Sequence, residues 1–214
     1  MNWQAFLKVK AYSEAEIHPH SQVEEAGKFQ SFEGGSVELE AMDFLYSCVR
    51  LFKPEFILET GTHLGFSAIA LAAGCKENGF GKVFSIETDI EKINKSKLLI
   101  KSVELQDYVE LIHGASLDVI PQFKDKIPGF GLVFLDSLTP IRPKEFELLY
   151  ALGLVQNIVA FHDTSRTREE SLKNPAEPQS PYCEAMDKIE KLYCKGGIEN
   201  PLSRGFRIMQ VKKI

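Results

Sequence analysis

The most regular feature of this chain is an alternation of short apolar runs with amphipathic segments between residues 55 and 162. The apolar runs have the length and composition of buried strands, and they predict strands near 55–59, 82–87, 108–113, 130–135 and 157–162. The segments between them predict helices near 65–74, 91–103, 116–124 and 143–153. Strands and helices that alternate in this order predict an α/β fold, in which a mostly parallel sheet carries helices on both faces.

The N-terminal part of the chain departs from this alternation. Residues 1–34 form an extension in which only Trp3 to Val9 predicts a helix, and Gly34-Gly35 marks a boundary. Residues 35–214 are interpreted as one domain, whose first helix carries an apolar stripe from Val37 to Leu51. The extension has two open interpretations: it caps the active site, or it packs against a second subunit in a homodimer.

The C-terminal part adds three predicted segments. Residues 181–193 predict a helix with one apolar side, and the alternating residues 204–211 predict a final strand. The polar, proline-rich residues 165–181 lie before that helix. A loop of this length inside a compact domain is functional or disordered, so it is interpreted either as a lid over the substrate or as a mobile insertion.

The composition argues against several classes of protein. The net charge of −5 and the pI near 5.6 argue against a nucleic-acid-binding surface, which is usually basic. No apolar run has the length of a membrane span, and the first residues lack the features of a signal peptide. The four cysteines have no metal-ligand spacing. A cytoplasmic protein with reduced thiols is therefore expected.

The turn after the first predicted strand carries the clearest functional signal. Glu59 ends that strand, Gly61 and Gly65 follow, and an apolar helix begins near Phe66. Glycines at such a turn let a ligand approach the backbone, and the free N–H groups of a helix start suit a carboxylate or phosphate. The next apolar run ends at Glu87, where a carboxylate can accept hydrogen bonds from both ribose hydroxyls of an adenosine.

Polar residues stand at the ends of all five predicted strands. They are Glu59, Glu87, Ser116, Asp136 and Asp163. In open α/β sheets the ligand-binding crevice lies beyond the carboxyl ends of the strands. These five side chains are therefore expected to lie together along the carboxyl edge of the sheet, around one binding crevice.

These segments together resemble the class I S-adenosylmethionine-dependent methyltransferases, and more narrowly the small-molecule O-methyltransferases typified by catechol O-methyltransferase. The Gly-Ala-Ser turn within 109–123 is similar to that family's third-strand segment, and 131–136 and 158–164 are similar to its fourth and fifth strands. The resemblance runs from about residue 35 to 164. It implies a Rossmann-like class I methyltransferase fold with an antiparallel C-terminal strand, S-adenosylmethionine as cofactor and a small-molecule hydroxyl as methyl acceptor.

The resemblance also implies roles for individual positions. Glu87 is expected to hold the ribose, Ala115 and Ser116 to face the adenine, and Ser67 to bind the cofactor carboxylate, while Glu59 either contacts the cofactor's amino group or braces the loop. The full set of expected cofactor positions is Glu59, Gly61, Thr62, His63, Gly65, Ser67, Glu87, Ala115, Ser116 and Asp136.

The expected reaction centre departs from the resembling family. That family binds a divalent metal with two aspartates and an asparagine, and uses a lysine as base. Asp136 and Asp163 match the aspartates, whereas Thr164 stands at the asparagine position and Thr139 at the lysine position. Two mechanisms stay open: Mg²⁺ bound by Asp136 and Asp163, or a metal-free reaction with His162 or Asp163 as general base.

Two other functions remain as alternatives. The two departures at the reaction centre are compatible with a catalytically degenerate module that binds the cofactor and serves regulation or a partner. A Rossmann-type nucleotide-dependent oxidoreductase is disfavoured, because the step from Gly61 to Gly65 does not match the dinucleotide fingerprint.

Overall fold

A computed structural model describes residues 1–9, 16, 18–19, 29–33, 35–165, 179–200 and 204–213. The predicted lid over 165–181 falls mainly on 166–178, which lie outside the described residues. No helix in the described part of the chain has both the length and the apolar character that a bilayer span requires.

The elements follow one another much as the hydrophobic pattern predicts. The helices are α1 Trp3–Val9, α2 Leu39–Phe52, α3 Phe66–Asn78, α4 Ile90–Ser102, α5 Ser116–Val119, α6 Arg142–Ala151 and α7 Gln179–Tyr193, with a 3₁₀ turn at Ile120–Phe123. The strands are β1 His18–Pro19, β2 Gln30–Ser31, β3 Phe56–Thr60, β4 Lys82–Glu87, β5 Val109–His113, β6 Phe130–Leu135, β7 Val155–His162, β8 Cys194–Asn200 and β9 Phe206–Val211.

Seven of these strands form one mixed sheet in the order β5-β4-β3-β6-β7-β9-β8. The pairs among β3 to β7 are parallel, while β9 runs antiparallel to β7 and to β8. The predicted mostly parallel sheet with an antiparallel C-terminal strand is thus confirmed. The short β1 and β2 form a separate antiparallel pair.

The edge strand β8 was not among the predicted strands. Its sequence Cys-Lys-Gly-Gly-Ile-Glu-Asn lacks alternation, and six of its seven residues are exposed. Glycine suits this strand because a Cβ on Gly197 would lie 2.7 Å from the carbonyl oxygen of Ile208 in β9. Backbone pairing with β9, which the side-chain pattern does not encode, therefore forms this strand.

Both faces of the sheet are buried, which explains the continuous apolar runs. Neighbouring residues of one strand enter opposite layers: Ile57 belongs to the core under α2, α3 and α4, and Leu58 to the core under α5, α6 and α7. Helix α1 also contributes Trp3 and Leu7 to the first core. In sheets with both faces covered by helices, a binding site is expected at the carboxyl edge of the parallel strands.

Candidate active site

A cavity of about 560 Å³ opens at the carboxyl edge of the parallel strands. Asp163 and six of the ten expected cofactor positions line it, namely Gly61, His63, Glu87, Ala115, Ser116 and Asp136. The other four expected positions, Glu59, Thr62, Gly65 and Ser67, are not among the lining residues. The loops after β3, β4, β5 and β6 thus meet around one cavity, as expected for strand ends at one edge.

The turn after β3 passes directly against the end of β6. Gly61 has φ +86°, and a Cβ at this position would lie 2.3 Å from the carbonyl oxygen of Asp136. Only glycine leaves room for that approach in this conformation. The glycine therefore brings the first turn and the predicted reaction centre together.

Glu87 joins the loops after β3 and β4. Its Oε2 accepts a hydrogen bond from the backbone N–H of His63 at 2.9 Å, and its Oε1 accepts from the N–H groups of Thr88 at 2.9 Å and Asp89 at 3.1 Å. The Ser96 hydroxyl holds the same loop by donating to the carbonyl of His63 at 2.7 Å. A charged acceptor with three N–H donors is held in place beside the cavity before any ligand arrives.

Glu59 lies fully buried behind this loop. It accepts a hydrogen bond from the Ser85 hydroxyl, which in turn lies 2.5 Å from that of Thr62. Burial raises the pKa of Glu59 to about 7, although the neighbouring Ser67 and Ser85 hydroxyls act to lower it. Of the two roles expected for Glu59, this position favours bracing the loop.

Glu145 of α6 is a supporting residue that the sequence did not indicate. Its carboxylate accepts hydrogen bonds from Thr60 at 3.0 Å, from Ser137 at 2.9 Å and from Ser116. The side chain is fully buried, and burial raises its pKa. It ties together three of the loops that surround the cavity.

His162 is held between two carboxylates. Its Nδ1 lies 3.0 Å from Oδ1 of Asp136, and its Nε2 lies 2.7 Å from Oε2 of Glu38, just before α2. Burial acts to lower the pKa of His162, but Asp136 and Glu38 raise it to about 9. At neutral pH the ring is therefore an imidazolium that donates from both nitrogens, which favours a positioning role for His162 over that of a general base.

Two buried arginines contact the aspartates of the predicted reaction centre. Arg204 contacts Asp163 through Nε at 2.6 Å and Nη2 at 3.1 Å, and Nη2 of Arg142 lies 2.9 Å from both Asp163 and Asp136. Arg142 and Arg204 are only 2% and 7% exposed. The sequence did not indicate Arg204 or Glu38 as site residues, because neither lies in a motif and they are 166 positions apart in the chain.

The two predicted metal ligands, Asp136 and Asp163, lie close together beside His162, but all three side chains already have hydrogen-bond partners. Asp136, His162 and Asp163 offer ligand atoms within 4.8 Å of one another. Both aspartates are paired with guanidinium groups, and both ring nitrogens of His162 face carboxylates. Thr139 and Thr164 are buried away from the cavity lining, and their hydroxyls make no hydrogen bond to a described residue. A divalent ion at this position would therefore compete with these guanidinium partners for the same carboxylates.

The raised pKa of His162 predicts a pH-dependent stability. A group whose pKa rises from 6.5 to about 9 on folding stabilises the fold fully below pH 6.5, and that contribution is lost as the pH rises through 9. Between about pH 7 and 8.5 we expect the free energy of unfolding to fall by up to about 2 kcal/mol. Urea denaturation at several pH values measures this fall. A His162→Gln variant should show a clearly smaller slope, and an equal slope would contradict the assignment.

Comparison with known proteins agrees with this geometry. A family model described as a methyltransferase domain matches residues 58–164. Mouse catechol O-methyltransferase is 31% identical over 124 residues, which cover 57% of this chain and 45% of that protein. The chain spans about half the length of several such curated relatives.

Solved structures share the fold. An O-methyltransferase from Bacillus cereus, in complex with SAH, has a TM-score of 0.70 at 24% identity and covers 84% of each chain. An O-methyltransferase from Streptomyces achromogenes, in complex with SAM, has a TM-score of 0.70 at 21% identity and covers 83% of this chain and 82% of that one.

Proposed function

The chain belongs to the methyltransferase-domain family, whose model matches half of it, and on that premise we propose that it transfers a methyl group from S-adenosylmethionine to a hydroxyl of a small molecule. The observation that carries the proposal is the shared cavity, in which the Gly61 turn, the Glu87 carboxylate and Asp136 face one space. Its volume of about 560 Å³ lies in the usual range of small-molecule sites.

The proposed roles in cofactor binding follow the lining residues. Glu87 accepts hydrogen bonds from the ribose hydroxyls, and Ala115 and Ser116 lie along the adenine. The backbone at Gly61 and His63 lines the methionine portion. Glu59, Thr62, Gly65 and Ser67 support this loop from behind, which is consistent with their absence from the cavity lining.

The proposed transfer is an in-line displacement. Bound S-adenosylmethionine would supply an electrophilic methyl group, and the acceptor oxygen would displace S-adenosylhomocysteine, which would leave with the electron pair of the broken carbon–sulfur bond. The acceptor hydroxyl must lose its proton, and we assign that proton to Asp136. This side chain is 14% exposed, and its Oδ1 is taken by Arg142 and His162, which leaves Oδ2 for the acceptor. Asp163, paired with both arginines, positions this carboxylate.

Two further attributes belong to the same proposal. The net charge of −5 supports the absence of a nucleic-acid partner, and the four free, buried cysteines are consistent with a location in the reducing cytoplasm. A homodimer stays a prediction from the N-terminal extension, and sedimentation equilibrium would test it. Trp3 of that extension packs on Tyr46 of α2 within the same chain.

Calorimetric titration with S-adenosylhomocysteine, followed by an acceptor screen of phenolic and sugar hydroxyls, tests the function. Micromolar binding with turnover on a hydroxyl acceptor supports the enzyme. Binding with no turnover on any acceptor favours the catalytically degenerate module, which the threonines at 139 and 164 keep as a second candidate. No binding at all contradicts both.

Glu87→Ala tests the assignment of the ribose site. We expect the affinity for S-adenosylhomocysteine to fall by about 1.5–3 kcal/mol, or about 10- to 150-fold, because charge-assisted hydrogen bonds are lost. Titration calorimetry measures the change. Glu110→Ala is the matched control, since Glu110 is an exposed glutamate on the neighbouring β5. Equal affinity in the two variants would remove Glu87 from the site.

A further inference from the structure

We propose that this methyltransferase works without a divalent cation, because the buried guanidinium groups of Arg142 and Arg204 bind the two carboxylates that such an ion would need. The inference rests on the proposed function for its relevance to methyl transfer. Its evidence, however, lies in contacts among described residues and does not depend on the cofactor.

Both oxygens of Asp163 are taken by arginine. Oδ1 accepts from Nε of Arg204 at 2.6 Å, and Oδ2 accepts from Nη2 of Arg142 at 2.9 Å and Nη2 of Arg204 at 3.1 Å. Arg204 thus makes a two-point contact with the carboxylate, the strong geometry for this pair. An ion that bound Asp163 would have to compete with these guanidinium groups for the same carboxylate.

The arginines are themselves anchored. Nε of Arg142 donates to the carbonyl of Ser137 at 2.6 Å, and Nη1 donates to the carbonyl of His162 at 2.6 Å. Nη1 of Arg204 donates to the carbonyl of Ser36 at 3.3 Å. A displaced guanidinium would lose its carboxylate partner while it remained buried, which is strongly unfavourable for a charge.

Charge balance gives the same result. The two aspartates and two arginines form a set without net charge, whereas a divalent ion added to it would leave two uncompensated positive charges. The sulfonium of the proposed cofactor would add a third positive charge nearby. Mg²⁺ is normally held by one or two carboxylates whose negative charge is available to it. Here that charge is already balanced.

None of the three other residues expected at the reaction centre is available as a further ligand. Both nitrogens of His162 lie within hydrogen-bond distance of carboxylates. Thr164 and Thr139 do not line the cavity. Arg142 and Arg204 therefore act as positioning residues, which hold Asp136 and Asp163 in the places that a metal ion would otherwise determine.

The proposal is tested by titrating the wild-type protein with Mn²⁺, with and without S-adenosylhomocysteine. Electron paramagnetic resonance measures how much of the Mn²⁺ is bound. We expect no Mn²⁺ bound at micromolar concentration, and equal affinity for S-adenosylhomocysteine in EDTA and in Mg²⁺. Binding of one Mn²⁺ with a micromolar dissociation constant would overturn the proposal. So would an affinity for S-adenosylhomocysteine that is lost in EDTA and restored by Mg²⁺. If S-adenosylhomocysteine binds under neither condition, the proposed function fails, while the Mn²⁺ titration still decides the question of the cation.

Arg204→Met tests whether arginine is what excludes the ion. Removal of the Arg204 guanidinium group should raise the affinity for Mn²⁺ by at least about tenfold, because the negative charge of Asp163 is then less fully neutralised. Arg207→Met is the matched control: Arg207 is also a buried arginine, on β9, but it pairs with Asp187 and Glu199 and is not part of the cavity lining. A folded Arg204→Met protein with no gain over Arg207→Met would contradict the proposal. If Arg204→Met does not fold, the wild-type titration decides.

Discussion

Asp136→Asn should reduce the rate of methyl transfer by about 10²- to 10⁴-fold, the usual contribution of a positioned acid or base. Asparagine has nearly the same shape, and its carbonyl oxygen can still accept hydrogen bonds from Arg142 and His162. It cannot, however, take the proton that the acceptor hydroxyl must lose. Affinity for S-adenosylhomocysteine should stay within about twofold of wild type, because the contact with Asp136 is not a main source of cofactor binding energy.

The measurement is single-turnover transfer to the best acceptor, with titration calorimetry on the same protein. Asp107→Asn is the control, since Asp107 is exposed at the opposite end of the sheet, just before β5. Wild-type turnover in Asp136→Asn would remove Asp136 from the reaction centre. A loss of cofactor affinity equal to the loss of turnover would place its role in binding instead.

Gly61→Ala should have the largest combined effect on stability and binding. Alanine at φ +86° is strained, and its Cβ would lie 2.3 Å from the carbonyl oxygen of Asp136, so that backbone must move. We expect a loss of about 2–5 kcal/mol in the free energy of unfolding. The displaced turn should also weaken S-adenosylhomocysteine binding by at least about 100-fold, because small displacements at such sites have effects of this size.

Gly79→Ala separates the two causes. Gly79 has φ +78°, close to that of Gly61, but a Cβ at this position meets nothing within 4 Å. It should therefore show only the backbone strain, about 1 kcal/mol, and normal cofactor binding. Urea denaturation and calorimetry of both variants give the comparison. Equal losses of stability would mean that the close approach of Gly61 to Asp136 has no energetic consequence.

The hydrophobic pattern was sufficient to predict the central sheet. The five parallel strands begin and end within two residues of their predicted bounds, because strands buried on both faces need continuous apolar runs. The predicted helix over 116–124 divides into α5 and a 3₁₀ turn that includes Pro121. Within the seven-stranded sheet β8 was not predicted, since an exposed edge strand depends on backbone pairing with β9, and the two-residue strands β1 and β2 outside that sheet were not predicted either.

The site was predictable only where its residues follow a strand. The turn at Gly61 and the carboxylates of Glu87, Asp136 and Asp163 were identified from their positions at strand ends, and all four line the cavity. Glu145 supports the same loops, yet it lies in the first turn of α6, where an acidic residue is unremarkable in sequence. Its role appears only when its three hydroxyl partners are seen around it.

By itself, the sequence determined the order of the elements, the parallel sheet and the polar rim. Each of these follows from periodicity along the chain and from the rule that parallel strands end at one edge. The tertiary structure alone decided how the charges of the proposed reaction centre are paired. Glu38, Arg142 and Arg204 come from distant parts of the chain, and their contacts with His162, Asp136 and Asp163 determine which charges are already paired. Pairing of buried charges depends on distances through space, which no local pattern of residues encodes.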